Sequence, residues 1–587
     1  MKFEISDVFS KRFSVISLAY YIIACLAVMF IPYAFPPEKV SHSYSYMVGF
    51  DNRIAFLLLF LCAIIPFFAG FKSNESIYLW NPDLKRLDVD KSYNRFVVYT
   101  VIISSIVLAI IGIGYGLDEF YGFFEGEYFY HFLFALDFDH SLYTDVQFIY
   151  GPLSIYPVWL LTKLGLEITF SYFFVLIIYQ TIGLFFAYDV LASMQLGKNE
   201  RRILFILIAL ISFPSATGFN YCLIRFALLP WLFLNLVSKY NSRSKLLNIV
   251  LSPVYFLITL FYSPEIGLCF LVISCAWLFF KTIFDRRWDF ILSIILIISS
   301  FIAVLFIYPE YLSSVFQAGS GGANFPYVPS LIIVLTIFVF IVYGFLIGKQ
   351  AQYLKDNIDL IALETAMIIA SPAGLGRCDP VHVLNFCMFA IIIAYVVSKQ
   401  FINKKLINLF FAATVFTFFP FQMFCIHKDI IEKITLNISI QPEKDAVVAQ
   451  RHADMDALLG NLSGAVTSVQ CRNDIYLYLN QHYDYKETFF GYTPQWIGTK
   501  DGFDRELSEL KSINPKYIVV PVDYKTKWMD RKYMGISQLL YFTYYPVKPK
   551  RYYNEVLYGD LIDYLSNDFS VVNSNEIYAV LKNNNYE

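Results

Sequence analysis

Charge is scarce in this chain. Only 16% of its 587 residues are Asp, Glu, Lys or Arg, whereas soluble domains carry roughly 25%. That shortage excludes an ordinary soluble globule. The charge present nearly cancels, to a net −2, so the chain has no one-signed field of the kind that gathers nucleic acid. Cysteine offers no framework either. There are nine, mostly in apolar runs (Cys25, Cys62, Cys275), with no CxxC pair and no Cys/His metal spacing. Cys425 and Cys471 fall on the expected outer side, and the sequence does not favour a disulfide between them. Internal repeats, low-complexity tracts and long linkers are absent. The N-terminal apolar stretch is too long for a signal peptide and lacks a small-residue cleavage site before Pro36-Pro37, which predicts an uncleaved first span.

What fills the chain instead is apolar sequence: 57% hydrophobic and 19% aromatic. The fold class expected is a polytopic α-helical membrane protein. Spans need about 20 apolar residues, and about thirteen are predicted. They start near Phe13, Arg53, Phe96, Ile168, Ile203, Tyr221, Leu246, Ile266, Phe290, Ser330, Asp359, Val383 and Leu406. Lys and Arg gather in alternate loops (Lys72 to Arg95, Lys198 to Arg202, Lys239 to Lys245, Lys281 to Arg287, Lys349 to Lys355, Lys399 to Lys405). By the positive-inside rule those loops and the N-terminus face the cytoplasm. Residues 151–164 are apolar but short, with Pro and aromatics, and read as interfacial or re-entrant. Three regions are expected: 1–95, two spans and an inner loop; 96–428, a transmembrane domain with an acidic first outer loop at 117–152; and 429–587. In the last, charged and Asn residues become frequent, Asp445–Leu462 and Glu506–Leu510 read as helical, and segments at Tyr517 and Glu576 read as strands. These features predict a small outer α/β domain.

The outer loops hold the candidate chemistry. Between Asp118 and Pro157 stand seven carboxylates (Asp118, Glu119, Glu125, Glu127, Asp137, Asp139, Asp145) and no Lys or Arg. Carboxylates on an aromatic segment at a membrane are costly to desolvate without a partner. Arg225, near the start of the sixth span, is a candidate anion ligand; its plainer reading is a snorkelling side chain. Pro264 suits the start of a helix, and Glu265 behind it either serves a site or simply favours the helix dipole. Asp145 reads as a site residue or as a turn or cap Asp. Arg377, Asp379 and His382 form a second polar cluster, with Arg377 offering a planar fork that matches phosphate oxygens. Its plainer reading is an Arg377–Asp379 pair closing a turn.

These residues resemble the GT-C superfamily of integral-membrane glycosyltransferases over roughly Phe96 to the C-terminus. The passages that carry the likeness are Glu125-Gly126-Glu127, then Tyr143-Thr144-Asp145 and Tyr150-Gly151-Pro152-Leu153. Ser263-Pro264-Glu265-Ile266-Gly267-Leu268, Gly376-Arg377-Cys378-Asp379-Pro380-Val381-His382 and the terminal outer domain complete it. The chain departs from the pattern at Phe124, where many members carry Asp. The first two spans are an addition.

The resemblance implies a GT-C-like fold and transfer of a sugar from a polyprenyl-phosphate donor to a cell-envelope glycan, lipid or protein acceptor. The reaction would take place on the outer face of a bacterial inner membrane. Glu125 or Glu127 would be the base, with Asp145 as orienter. Arg377, Asp379, His382, Arg225, Glu265 and Tyr150 would bind substrate. Members differ over metal: Mg²⁺ or Mn²⁺ would suit Glu125 and Asp145, and nothing in the residues requires either. The alternatives are a flippase or transporter of lipid-linked sugars, an O-antigen polymerase or ligase of related type, and a catalytically dead scaffold.

Overall fold

A computed structural model describes residues 5–37, 43–74, 76–81, 84, 91–114, 124–214, 218–318, 324, 326–327, 330–377, 380–402, 407–412, 450, 453–460, 462–469, 471, 473–488, 499–529 and 551–586. Among the described residues, seventeen α-helices run through the first two thirds: α1 (Ile5–Phe30), α2 (Tyr44–Val48), α3 (Asn52–Lys72), α4 (Lys91–Gly114), α5 (Phe124–Asp137), α6 (Tyr156–Lys163), α7 (Ile168–Ser193), α8 (Lys198–Ile211), α9 (Leu223–Lys239), α10 (Lys245–Tyr262), α11 (Pro264–Asp285), α12 (Trp288–Ile307), α13 (Pro309–Ala318), α14 (Leu331–Ala351), α15 (Leu354–Ile368), α16 (Ser371–Arg377) and α17 (Pro380–Phe401).

Among the described residues, eleven segments are long and apolar enough to cross a bilayer. Large apolar side chains such as Phe306 and Ile307 stand more than 80% exposed on their outside. Only lipid makes such a surface favourable, so the chain is a multi-pass integral membrane protein.

Eleven of the thirteen expected spans are therefore present. The segment at Ile203 is α8, which has 14 residues and extends about 21 Å, short of a hydrocarbon core about 30 Å thick. The segment at Leu406 is helical over 407–412, and the rest of it lies outside the described residues. Residues 151–164 form a 3₁₀ turn and the eight-residue α6, too short to cross.

Close packing explains how the helices associate. α3 lies flat on α14 because Gly70, Gly344 and Gly348 bring the two backbones together. A Cβ at any of the three would collide with backbone of the other helix, as small-residue packing in membranes requires. α9 starts against Gly183, halfway along α7. Carboxylates inside the bundle are bonded. Asp189 accepts from Trp231 Nε1 (2.9 Å), and Glu364 accepts from Trp80 Nε1 (2.9 Å) and Gln350 Nε2 (2.8 Å). At the end of the bundle rich in Lys and Arg, Lys399 binds Glu200 at 2.8 Å, joining α17 to α8, and Lys281 reaches Asp359 at 3.5 Å, joining α11 to α15.

The remaining residues form a sheet of order β1-β2-β4-β3: β1 (Val466–Ser468), β2 (Tyr517–Pro521), β3 (Phe569–Ser574) and β4 (Tyr578–Asn583). β1 is parallel to β2, and the other pairs are antiparallel. Alternation along the central strands sends their side chains to two faces. Ile518, Val520, Ala579 and Leu581 pack on α19 (Lys500–Ile513), α20 (Tyr524–Met529) and α21 (Arg551–Asp568). Val519, Tyr578 and Val580 pack on residues 453–459 and on α18 (Asn473–His482). This α/β unit rests on α5, where the Tyr476 ring lies 4.1 Å from His131 and 6.3 Å from Phe138. Cys471 is a buried thiol that donates to the Val519 carbonyl (3.3 Å).

Candidate active site

The polar groups converge at the end of the bundle that carries α5. Phe129 of α5 stacks on Tyr150 (5.5 Å, 17°) and also meets Phe219 (5.2 Å). Glu125 and Glu127 occupy the helical turn just before it, on backbone that the structure describes; their side chains lie outside the described residues. Asp118 and Glu119 are outside them as well.

The loop after α5 is a tight construction. Tyr143 is buried and adopts φ of 72°, a conformation that costs a bulky residue on the order of 1–3 kcal/mol. It is held there by its N–H on the Val146 carbonyl (2.8 Å) and its hydroxyl on the Tyr150 carbonyl (2.6 Å). Asp145 is exposed, and its Oδ2 accepts the Ser141 N–H (2.7 Å). Its plainer sequence reading, a turn Asp, describes this geometry. Burial pushes the His140 imidazole below its ordinary value, against the pull of Asp145 and Asp139.

Gly151 then brings the chain against the end of α10, its Cα so close to Phe261 and Tyr262 that a Cβ would meet their backbone. Ser263 is the N-cap of α11 and Pro264 its first residue, as the sequence leads one to expect. Glu265 follows, and its Oε1 accepts from Arg225 Nε (2.9 Å), Arg225 Nη2 and the Ser263 hydroxyl. Arg225 also donates through Nε to Ser263 Oγ (3.2 Å) and through Nη1 to the Asn220 carbonyl (2.9 Å). Its guanidinium lies 5.3 Å from the Tyr150 ring and 5.1 Å from the Phe386 ring. With 13% of its side chain exposed, Arg225 does not snorkel. It is a buried cation held by one carboxylate, two oxygens and two aromatic faces. Glu265 does more than answer the α11 dipole.

His382, one turn before Phe386 on α17, bonds to the Tyr221 hydroxyl (2.7 Å to Nε2). α16 lies against this turn, since a Cβ at Gly374 would meet the His382 carbonyl. Arg377 ends α16 with its side chain outside the described residues, and Asp379 lies wholly outside them. Of the six expected substrate-binding residues, Arg225, Glu265, Tyr150 and His382 thus share one neighbourhood. Sequence reasoning missed Asn220, Tyr221, Ser263 and Phe386. One signal existed: Phe219-Asn220-Tyr221 places an amide between aromatics just before a span that carries an Arg.

Among the described residues no group of three or more His, Cys, Asp or Glu could hold a metal ion. The side chains of Glu125 and Glu127 are not among those residues.

Bundle and site define a multi-pass membrane protein with a charged, aromatic-walled cluster at one end, roofed by an α/β unit. No family model matches the chain, and no curated protein matches it. Two crystal structures of ArnT from Cupriavidus metallidurans are similar to it. The one bound to undecaprenyl phosphate has 10% identity and a TM-score of 0.36, covering 90% of this chain and 97% of that one. The apo form has 11% identity and a TM-score of 0.31, covering 90% and 98%.

Proposed function

We propose that the protein is a GT-C-like membrane glycosyltransferase. It moves a sugar from a polyprenyl-phosphate donor to a cell-envelope glycan, lipid or protein acceptor on the outer face of the membrane. One observation carries this reading: the acidic helix α5, the Arg225–Glu265 pair and the Tyr221–His382 pair meet at one end of the helical bundle. A site that takes a charged, lipid-borne substrate from the bilayer needs that placement.

The chemistry follows from the groups. The acceptor oxygen bonds to the anomeric carbon of the donor sugar, and the bond from that carbon to the phosphate oxygen breaks. The phosphate leaves with the electron pair. The acceptor proton passes to a carboxylate, Glu125 or Glu127. Charge building on the phosphate is met by Arg377 and His382. Arg225, already closed by Glu265, contributes through the part of its fork left over. Mg²⁺ or Mn²⁺, if used, would bind Glu125 with Asp145 and screen the phosphate.

The test is a transfer assay on the full chain in lipid. It uses radiolabelled polyprenyl-phosphate sugars, an envelope acceptor fraction, and parallel reactions with EDTA. Transfer from one donor should vanish in a Glu125→Gln/Glu127→Gln protein that unfolds at the wild-type temperature. Full activity in that variant would reject the site. Movement of donor across the bilayer without transfer would make the protein a transporter.

A further inference from the structure

Three buried side chains around the start of α9 hold polar atoms that bond to nothing. Asn220 is 3% exposed, and neither its Oδ1 nor its Nδ2 has a partner. Gln180 is 1% exposed; its Oε1 accepts the Leu223 N–H (2.9 Å), while its Nε2 has no partner. Tyr262 is 5% exposed, and its hydroxyl has no partner. Buried polar groups almost always pair. Several orphans in one place imply something that completes them.

The three belong to one neighbourhood. The Asn220 carbonyl takes Arg225 Nη1 (2.9 Å), and Ser263, the residue after Tyr262, takes Arg225 Nε (3.2 Å). The Tyr262 ring lies 5.5 Å from that of Tyr179, the residue before Gln180, and Phe219 lies 5.8 Å from Tyr179 on another side.

The free valences identify the ligand chemistry. They comprise amide donors, an amide acceptor, and a hydroxyl that does both. They carry no net charge, because Glu265 closes Arg225. An anion would call for surplus donors and positive charge, a cation for carboxylates, and an acyl tail would leave every one of these groups unmet. A neutral ring bearing hydroxyls satisfies donors and acceptors alike, and aromatic faces such as Phe219 and Tyr179 suit its C–H side. We infer that Asn220, Gln180 and Tyr262 line a pocket for an uncharged, hydroxyl-rich ring. If the glycosyltransferase reading holds, on which this identification rests, that ring is the sugar of the donor.

Tyr262→Phe and Asn220→Leu in the full chain, in lipid nanodiscs, test the pocket. Binding is measured for undecaprenyl phosphate and for its glucose, galactose, N-acetylglucosamine and arabinose conjugates. Wild type should prefer at least one conjugate over the bare phosphate. Each variant should cut that preference about 5- to 10-fold, the worth of one hydrogen bond, with affinity for the bare phosphate unchanged. Neither should unfold at a lower temperature, since the groups removed have no partner to lose. An unchanged preference in both variants, or no preference in wild type, overturns the pocket and leaves a water-filled recess. A preference lost in the variants alongside absent transfer would keep the pocket and reject the transferase. Transfer with the preference intact in the variants would do the reverse.

Discussion

Gly151 is the place where a single methyl group should separate folding from activity. Its Cα faces the backbone at the end of α10. A Cβ built there falls inside the Phe261 carbonyl and 2.7 Å from the carbonyl carbon of Tyr262, where ordinary contacts run from 3.4 to 4 Å. Backbone at the end of a packed helix cannot swing aside as a side chain can. In Gly151→Ala the segment must therefore retreat by at least about 0.7 Å, an overpacking strain that typically costs about 1–3 kcal/mol. The retreat carries Tyr150 with it. Tyr150 is the ring on which Arg225 rests and on which Phe129 of the acidic helix stacks, so α5 moves relative to Arg225 and Glu265. Displacements of about 1 Å at a reacting centre cost on the order of 100-fold in rate. Transfer by Gly151→Ala should fall by roughly that factor while the protein remains folded in lipid. The control is Gly559→Ala, where a Cβ meets nothing within 4 Å and helix α21 gains about 0.5–1 kcal/mol. Activity of Gly151→Ala within twofold of wild type would refute the idea that this close approach aligns the site.

Two further outcomes concern buried charged groups, one in the site and one in the α/β unit. Arg225→Met strands the Glu265 carboxylate, and Glu265→Gln uncovers the guanidinium. Breaking a fully buried pair costs about 3–5 kcal/mol, and with Glu265 28% exposed about 2–3 is expected. The double variant should therefore be more stable than the sum of the single losses predicts, by unfolding temperature in nanodiscs, and strict additivity would show that the pair is not coupled. In the α/β unit, burial first and then the nearby Glu506 hold the Glu487 carboxyl well above its ordinary value, with Tyr476 and Tyr485 packed against it. The folded state then keeps a proton that the unfolded chain releases. Stability is full below the ordinary carboxylate range and declines as pH rises through the raised value. The unfolding temperature of the unit should fall as pH rises above the ordinary carboxylate range, and Glu487→Gln should flatten that slope; an unchanged slope would show that Glu487 is ionised throughout.

The spans were legible because twenty apolar residues in a row have few other destinies, and α11 because Ser263-Pro264 is a cap followed by a first-turn proline. β2 and β4 announced themselves through Tyr517-Ile-Val-Val and Tyr578-Ala-Val-Leu. β1 did not, since three residues give no alternation to read. β3 did not, since Phe569-Ser-Val-Val-Asn-Ser is an edge strand exposed after its first residue. α8 carries an apolar face that counts as a span in a window average, and only its length shows otherwise. In the site, Arg225 stood out as a charge in an apolar segment. Its bond to Glu265 joins positions 40 apart, and that from Tyr221 to His382 joins positions 161 apart, and no periodicity foretells such pairings. Orphaned amides are invisible without coordinates, because an Asn in a sequence gives no hint of whether it has found a partner.

The seat of Tyr476 on α5 bears on how the protein is made. The acidic helix leaves the ribosome well before the ring that covers His131, which belongs to Tyr476, 345 positions further along the chain. A nascent chain whose first spans are already in the membrane thus holds its carboxylates on a helix with one face still uncovered. The contact between α5 and the α/β unit forms only after Tyr476 has been made and the unit around it has folded.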